Sequence, residues 1–433
     1  MVAETQLAAN QPSSVAAPTI STKTAPAPPA VVKKPAPTPA KKQTTSVATT
    51  PTKPSTAAHP PRHVTMEELR ATLTKWLSIP AEDADLIDFC LAVYISHRIP
   101  GDPLWGIIID ASGGGKTELL RSLRNRPDTE FLSKLTEKTL VSGFRDPKHP
   151  NEDPSLLPKL NEKVLIIKDL APLLSMRREV RNSIVADLRD AYDGFSDHGR
   201  GNVGKVGYES RFSLITAATL AIERYDTVEQ ELGERFIKIR ARGDGSRAKV
   251  RRAIGNIGAD SPMRQDIEGA ISGFLDSVQI GSPTIPDALQ DRLVTLSDFT
   301  AKARSSVARD RNGDLQYLPR PEVGTRLGKE LGKLLLALAA FRGKVAPDES
   351  DFATVQRVAE DCLPPNRLLV INALRGKALR MADVERATGL PHKTTDRVLD
   401  DLRVLGVLER TQVPDETTPF AADPIELWRL ASD

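Results

Sequence analysis

The middle of the chain alternates between short apolar runs and amphipathic stretches, which is the pattern of an α/β protein. Apolar residues recur at helical spacing from Met66 to Leu77 and again from Leu86 to Tyr94. Helical stretches separate five strand-like runs, which lie near residues 106, 139, 165, 214 and 237. Strands that alternate with helices predict a parallel sheet. We therefore expect a five-stranded parallel sheet within residues 63–245.

The pattern becomes purely helical between residues 246 and 362. Amphipathic periodicity and Gly/Pro turns predict four helices, over 263–278, 289–309, 321–342 and 349–362. After the Pro364-Pro365 pair, residues 366–433 carry the signals of three short helices followed by two strands. The sequence thus predicts an all-α region and a separate C-terminal domain.

Residues 1–62 differ from the rest in composition. They hold 12 of the 33 prolines and carry seven Lys or Arg side chains against one Glu, with no run able to bury a face. Such a segment is expected to be a disordered tail, whose lysines either keep it solvated or hold nucleic acid loosely. Because the net charge of the whole chain is only +3, the remainder is slightly acidic, and any nucleic-acid site there must be local.

Cysteine usage and hydropathy suggest the compartment. The two cysteines, Cys90 and Cys362, form no CxxC pair, which argues against a zinc site or a disulfide framework. No apolar run approaches the ~20 residues of a membrane helix, and the first residues lack the features of a secretory signal. We expect a cytoplasmic protein with no membrane partner.

A glycine-rich turn follows the first predicted strand. An apolar run ends in Asp-Ala-Ser-Gly-Gly-Gly-Lys-Thr at residues 110–117, and a helix is predicted next. Backbone amides in such a turn can cradle a polyphosphate, Lys116 can reach the β- and γ-phosphates, and Thr117 can ligate Mg²⁺. The predicted ATP-binding residues are Ser112, Gly113, Gly114, Gly115, Lys116 and Thr117. Asp110 stands where the usual pattern has Gly, and the alternative is a strand-to-helix turn that binds nothing.

The third predicted strand ends in a carboxylate. Asp169 closes the run Lys-Val-Leu-Ile-Ile-Lys-Asp, and a second Mg²⁺ ligand beside Thr117 is expected there. The glutamate that usually follows is replaced by Leu170. Asp190 and Asp193 are candidates for the water-activating base, but either can equally cap a helix or pair locally.

Four glycines and two cations precede the fourth predicted strand. The glycines lie between residues 199 and 207, around Arg200 and Lys205. This spacing predicts a hairpin whose basic tip contacts DNA phosphates, or alternatively a mobile surface loop. The fourth strand itself ends in Thr219, which can sense the γ-phosphate or orient water.

Taken together, these motifs resemble the core of AAA+ P-loop ATPases. Carried over residue by residue, Lys116 and Thr117 match the Walker A pair and Asp169 the Walker B acid. Thr219 then matches sensor one, and Arg235, before the fifth strand, the arginine finger. The 321–342 helix is similar to the lid of the same ATPases, with Arg326 at sensor two. The resemblance implies catalytic roles for Lys116, Asp169, Thr219, Arg235 and Arg326, and a homo-oligomeric ring such as a hexamer.

Two further resemblances concern DNA. The glycine-rich hairpin is similar to the pre-sensor hairpin of minichromosome-maintenance helicases. The Lys-Asp-Leu, Tyr-Asp-Gly and Leu-Gly-Glu-Arg-Phe segments resemble phage and plasmid helicase-like ATPases. Residues 366–433 resemble a winged helix-turn-helix domain, whose third helix would present His392, Lys393, Thr395 and Arg397 to the major groove. Protein docking is the alternative use of such a domain.

These expectations combine into one functional hypothesis. It is an ATP-dependent, DNA-acting AAA+ ATPase, a replicative helicase or helicase loader of a phage or mobile element. Two alternatives stay open at this point: a DNA-binding regulator switched by nucleotide, and a protein-remodelling ATPase.

Overall fold

A five-stranded sheet forms the centre of the protein. The computed structural model describes residues 63–142, 153, 155–200, 204–224, 235–243, 246–414 and 425–431. The sheet strands are β1 (Trp105–Ile109), β2 (Thr129–Leu132), β3 (Val164–Ile167), β6 (Ser213–Ala218) and β7 (Ile237–Arg240). They pair in the order β2-β3-β6-β1-β7, and every pair is parallel. The predicted α/β class and the five-stranded parallel sheet are confirmed.

The second strand lies ten residues before its predicted position. The buried apolar residues Leu140 and Val141 led to a strand near 139, but they lie in a turn, where the Leu140 carbonyl accepts from the Leu157 amide. The true strand, β2, reads Thr-Glu-Phe-Leu and is half-buried at every position. It is an edge strand, and its mixed polarity conceals it from a search for apolar runs.

Helices cover both faces of the sheet. The described helices in the first part of the chain are α1 (Met66–Leu77), α2 (Ala84–Ile95), α3 (Lys116–Arg121), α4 (Ala171–Leu174) and α5 (Arg178–Tyr192). Along β1, Ile108 packs on the face that α2 covers, whereas Ile107 and Ile109 pack with α4 and α5 on the other. Burial on both faces explains why β1 and β3 are continuously apolar, and every residue of β6 is buried as well.

The region after the sheet is helical, as predicted, with one helix more than expected. Its helices are α6 (Ser246–Gly255), α7 (Asp260–Ser277), α8 (Asp287–Arg304), α9 (Thr325–Phe341) and α10 (Glu349–Asp361). Helices α7 to α10 match the four predicted ones, whereas α6 was not predicted. Residues of α7 to α10 share one buried cluster with α2 and a face of the sheet. Most of the helical region therefore packs against the sheet.

The C-terminal residues follow the predicted order of elements. Helices α11 (Pro365–Leu374), α12 (Met381–Thr388) and α13 (His392–Val404) precede the antiparallel strands β8 (Leu408–Val413) and β9 (Ile425–Leu430). They surround their own buried cluster, which includes Val384, Leu399 and Trp428. Arg309 ties α13 to the helical region, because its guanidinium donates to Asp400 and Asp401 at 2.8 and 2.7 Å.

The predicted hairpin is present as β4 (Phe195–Arg200) and β5 (Gly204–Glu209), which pair antiparallel directly before β6. The predicted tail over residues 1–62 lies outside the described residues. In the described part of the chain, every helix is too short or too polar to cross a membrane.

Candidate phosphate-binding site

The glycine-rich turn joins β1 to α3 at the carboxyl ends of the parallel strands, which we call the carboxyl edge of the sheet. Gly113 and Gly115 adopt φ angles of +82° and +91°, a left-handed conformation that favours glycine. The backbone N–H groups of Ser112, Gly113 and Gly115 have no hydrogen-bond partner among the described residues. Exposed amides on a turn of this shape can bind an anion.

Lys116 lies over this turn. Its Nζ donates to the backbone carbonyls of Asp110 and Ala111 at 2.8 and 2.6 Å. Burial lowers the pKa of Lys116, while the charges of Asp110 and Asp169 act to raise it. The ammonium group is thus held at the mouth of the turn, where it interacts electrostatically with Asp169, the predicted Mg²⁺ ligand.

Three strand ends bring the predicted nucleotide residues together. The Asp110 amide donates to the Ala218 carbonyl at 3.3 Å, and the Leu170 amide donates to the Ala217 carbonyl at 2.9 Å. Because β6 lies between β1 and β3, the residues that follow these strands meet at one edge. Lys116, Thr117, Asp169 and Thr219 therefore share this edge. A threonine hydroxyl and a carboxylate are oxygen ligands of the kind Mg²⁺ prefers.

Asp110, which departs from the usual pattern, turns its carboxylate into the loop. Its Oδ1 accepts from the Ala111 amide at 2.7 Å. Its Oδ2 lies against Gly114, where an added Cβ would stand only 1.6 Å away. A side chain at position 114 would therefore displace the Asp110 carboxylate. A phosphate bound in the turn would lie near a fixed negative charge.

Lys249 is a site residue that the sequence did not reveal. It lies on α6, and its Nζ is 3.7 Å from the Asp110 Oδ2, with 17% of the side chain exposed. Its positive charge also acts to lower the pKa of Lys116. The run Arg-Ala-Lys-Val-Arg-Arg at 247–252 was a visible basic signal, but nothing in it pointed to the phosphate turn.

The predicted arginine finger lies at the amino ends of the strands, which we call the amino edge of the sheet. Arg235 precedes β7, donates to Asp193 at 2.9 Å, and stacks over the Tyr192 ring at 5.5 Å. Tyr192 in turn packs edge-on against Trp105, the first residue of β1. Since β1 has five residues, this edge is roughly 15 Å from the phosphate turn at ~3.3 Å per residue.

The position of Arg235 also locates Asp190 and Asp193, the two candidates for the water-activating base. Asp193, the residue directly after α5, is paired with Arg235, and Asp190 lies three residues earlier, in the last turn of α5. Both are remote from the phosphate turn of their own chain. Neither is positioned to activate water there, so the hypothesis that one of them is the base for that site is corrected.

Arg326 also lies at the amino edge. It is near the start of α9, where its charge acts on the buried Glu330 and Tyr192. Three residues further along α9, Lys329 pairs with Asp102 at 3.1 Å, just before β1. The structure therefore does not bring Arg326 to the phosphate turn of the same chain.

The predicted DNA contacts divide into three groups. Arg200 and Lys205 lie near the end of the β4–β5 hairpin, whose tip at 201–203 is outside the described residues. On α13, Lys393 and Arg397 are exposed, and His392 contacts Glu385 at 2.7 Å while 75% exposed. Thr395 is fully buried, and its hydroxyl bonds to the backbone of its own turn. Its predicted DNA contact is corrected for that reason.

No protein-family model matches this chain, and no curated protein matches it significantly.

Proposed function

We propose that the protein binds ATP-Mg²⁺ at residues 112–117 and is an AAA+-type ATPase. The observation that carries the proposal is the meeting of three groups at one sheet edge: an open glycine turn, the Lys116 ammonium and the Asp169 carboxylate. The turn would hold the phosphates, Lys116 would neutralise them, and Thr117 with Asp169 would hold the metal ion. Bound Mg²⁺ would offset the charge that develops on the transferring phosphoryl group.

The ring assembly is supported by the position of Arg235 and Arg326. Both lie at the edge of the sheet away from the phosphate turn of their own chain. A residue that completes a neighbour's site has to lie on such an opposite side, because subunits of a ring pack head to tail. Arg235 would have to leave Asp193 to act there.

DNA is proposed as the substrate on which the ATPase acts. Residues 366–433 would form a winged helix-turn-helix domain, with β8 and β9 as the wing. His392, Lys393 and Arg397 are exposed at the N-terminal half of α13, where such a domain meets the major groove. The Arg309 contacts to Asp400 and Asp401 offset two acidic charges on this helix. A replicative helicase or helicase loader would use the β4–β5 hairpin to move along a DNA strand.

The test is ATP hydrolysis with and without DNA, using the full chain and Asp169→Asn. We expect DNA to stimulate hydrolysis and the substitution to abolish it, because the amide cannot replace the carboxylate at Mg²⁺. Glu179→Gln, at an exposed carboxylate on α5, is the control and should behave like the native chain. Hydrolysis that is equal in the native chain and Asp169→Asn would refute the assignment.

A second function, a DNA-binding regulator switched by nucleotide, is favoured by one observation. Leu170 is buried where the usual glutamate stands, and Asp190 and Asp193 lie at the other edge. A site without a base would bind nucleotide and turn it over slowly. Nucleotide-dependent DNA binding without DNA-stimulated hydrolysis would support the regulator over the motor.

A further inference from the structure

Helix α6 lies against α1 and the phosphate turn but leaves most of its side chains exposed. Of its residues 247–255, all except Lys249 are exposed, including Val250 at 58% and Ile254 at 63%. A ten-residue helix is marginal in water, and most helical stability comes from packing. Arg247, Val250, Arg251 and Ile254 together line a shallow groove, which we call the α6 face. This surface combines two apolar side chains with two guanidinium groups and no acid.

A cavity of about 820 Å³ opens at the amino edge of the sheet, and its walls are mainly apolar. We call it the α8–α9 cavity. Leu293, Leu336 and Ile285 line it, and the exposed side chains of Val294 and Val323 contribute to its surface. A cavity of this kind can accept apolar side chains from outside.

Glu330 lines the same cavity and is buried. Glu330 is only 3% exposed, and its Oε1 accepts from the Tyr192 hydroxyl at 2.6 Å. Its Oε2 is buried with no hydrogen-bond partner among the described residues. The cavity lysines are engaged elsewhere, since Lys329 pairs with Asp102 and Lys333 donates to the Gly101 carbonyl. A buried carboxylate with an unpaired oxygen is costly, so positive charge brought to the cavity would be favoured.

The two surfaces cannot meet within one chain. Lys249 anchors α6 beside Asp110, directly after β1, whereas the cavity is lined by Gly101 and Asp102, shortly before β1. Complementary surfaces on opposite sides of one molecule produce a heterologous contact between copies, which closes into a ring or continues as a filament.

We propose that the α6 face of one copy docks in the α8–α9 cavity of a second copy. Val250 and Ile254 cover the apolar walls at Val294 and Val323, and the guanidinium groups of the α6 face bring positive charge to the cavity that Glu330 lines. The inference rests on the assembly in the proposed function and specifies its surface. Because Lys249 on the same helix contacts Asp110, nucleotide in the turn would be coupled to this interface.

The test measures the mass of the full chain by size-exclusion chromatography with light scattering, with and without ATP-Mg²⁺. Val250→Asp with Ile254→Asp alters the α6 face, and Val294→Asp alters the cavity. Val345→Asp, at a valine that is 88% exposed elsewhere, is the matched control. We expect the native chain and the control to assemble, and each altered chain to stay monomeric. Since all four positions are exposed, the melting temperature should be preserved.

Mixing the two altered chains makes the test specific. One α6 face and one cavity remain intact in the mixture, so dimers should form and nothing larger. Monomers in the mixture would overturn the proposal, as would native-like assembly of either altered chain or a native chain that stays monomeric. Loss of DNA binding with assembly unchanged in the α6 variant would assign that face to DNA instead.

Nucleotide binding, measured on the same proteins with a fluorescent ATP analogue, separates the two proposals. Monomeric variants that still bind nucleotide leave the phosphate site intact and support the interface. A native chain that assembles through other residues would overturn this interface while leaving the proposed ring in place.

Discussion

The two edges of the central sheet are built in opposite ways. At the carboxyl edge, glycines, exposed backbone amides and the Lys116 ammonium surround an open turn. At the amino edge, Trp105 is fully buried, with the Tyr192, Phe212 and Phe236 rings within 5.5 Å of its own. One edge leaves polar groups unsatisfied, and the other packs aromatic rings together.

Because of this difference, we expect residues at one end of β1 to determine ligand binding and residues at the other end to determine stability. Residues at the carboxyl edge contribute little apolar burial, so their substitution should alter ligand affinity and leave folding intact. Residues at the amino edge contribute burial, so their substitution should alter folding. The exceptions at the amino edge are the charged residues Arg235, Arg326 and Glu330, for which we propose roles in assembly.

The largest effect is expected from Trp105→Ala. The substitution removes a fully buried indole whose N–H donates to the Phe212 carbonyl at 3.1 Å. It should lower the free energy of unfolding by about 3–5 kcal/mol, measured by chemical denaturation. Phe195→Ala, at a ring that is 60% exposed, should cost less than about 0.5 kcal/mol. A similar small loss for both would show that the aromatic cluster does not stabilise this edge.

Lys116→Ala should have the opposite effect: it should weaken ligand binding and leave stability almost unchanged. Loss of charge-assisted hydrogen bonds worth about 1.5–3 kcal/mol each should weaken binding of an ATP analogue roughly a hundredfold. The free energy of unfolding should change by less than about 0.5 kcal/mol, because the ammonium contacts only loop carbonyls. Lys134→Ala, at an exposed lysine, serves as control. Equal affinities for the two variants would remove Lys116 from the site.

The sequence predicted the parts of the fold that bury apolar surface. Strands β1 and β3 are continuous apolar runs, β6 is mainly apolar, and α7 to α10 carry regular apolar stripes, so the pattern predicted them. Strand β2 was misplaced because an edge strand is half-buried and mixed in polarity. Helix α6 was missed because most of its side chains are exposed, so it has no apolar stripe to read.

The candidate site was predictable where its residues are close in sequence. The turn from Ser112 to Thr117 is one continuous motif, and Asp169 terminates an evident strand. The contact between Lys249 and Asp110 joins distant segments, and only the packing of α6 beside the turn creates it. For the same reason the sequence could not show that Asp190 and Asp193 lie at the far edge.

A smaller effect is expected from Glu330→Gln, and it depends on pH. Burial raises the pKa of Glu330 to about 7 from its usual 4.5, although Arg304, Tyr192 and Arg326 act to lower it. The folded state therefore retains a proton that the unfolded state has lost. This stabilisation is complete below pH 4.5 and disappears as pH rises through about 7.

For the native chain, the free energy of unfolding should include a decrease of about 2 kcal/mol between about pH 5 and pH 7 from this group. Glutamine keeps an acceptor for the Tyr192 hydroxyl but does not titrate, so the variant should lose that part of the slope. Denaturation curves at several pH values measure it. Identical slopes in the two proteins would mean that Glu330 does not retain its proton on folding.

The smallest effect is expected from Asp110→Gly, which restores the usual residue of the phosphate turn. The aspartate places a carboxylate beside the loop amides and holds Lys249 at 3.7 Å. Removing it should relieve repulsion of the phosphates and release Lys249 toward them. Because glycine also loosens the turn, we expect the affinity for an ATP analogue to rise only several-fold, or about 1 kcal/mol.

Asp110→Asn distinguishes charge from flexibility in this effect. Its amide oxygen can still accept from the Ala111 amide, so the turn keeps its shape while the charge is lost. If repulsion is the cause, the asparagine variant should bind at least as tightly as the glycine variant, and the gain should shrink at high salt. Weaker binding by both variants would instead indicate that Asp110 helps to hold the nucleotide or its metal ion. Asp110, which stands in place of the usual glycine, would then contribute to nucleotide binding rather than weaken it.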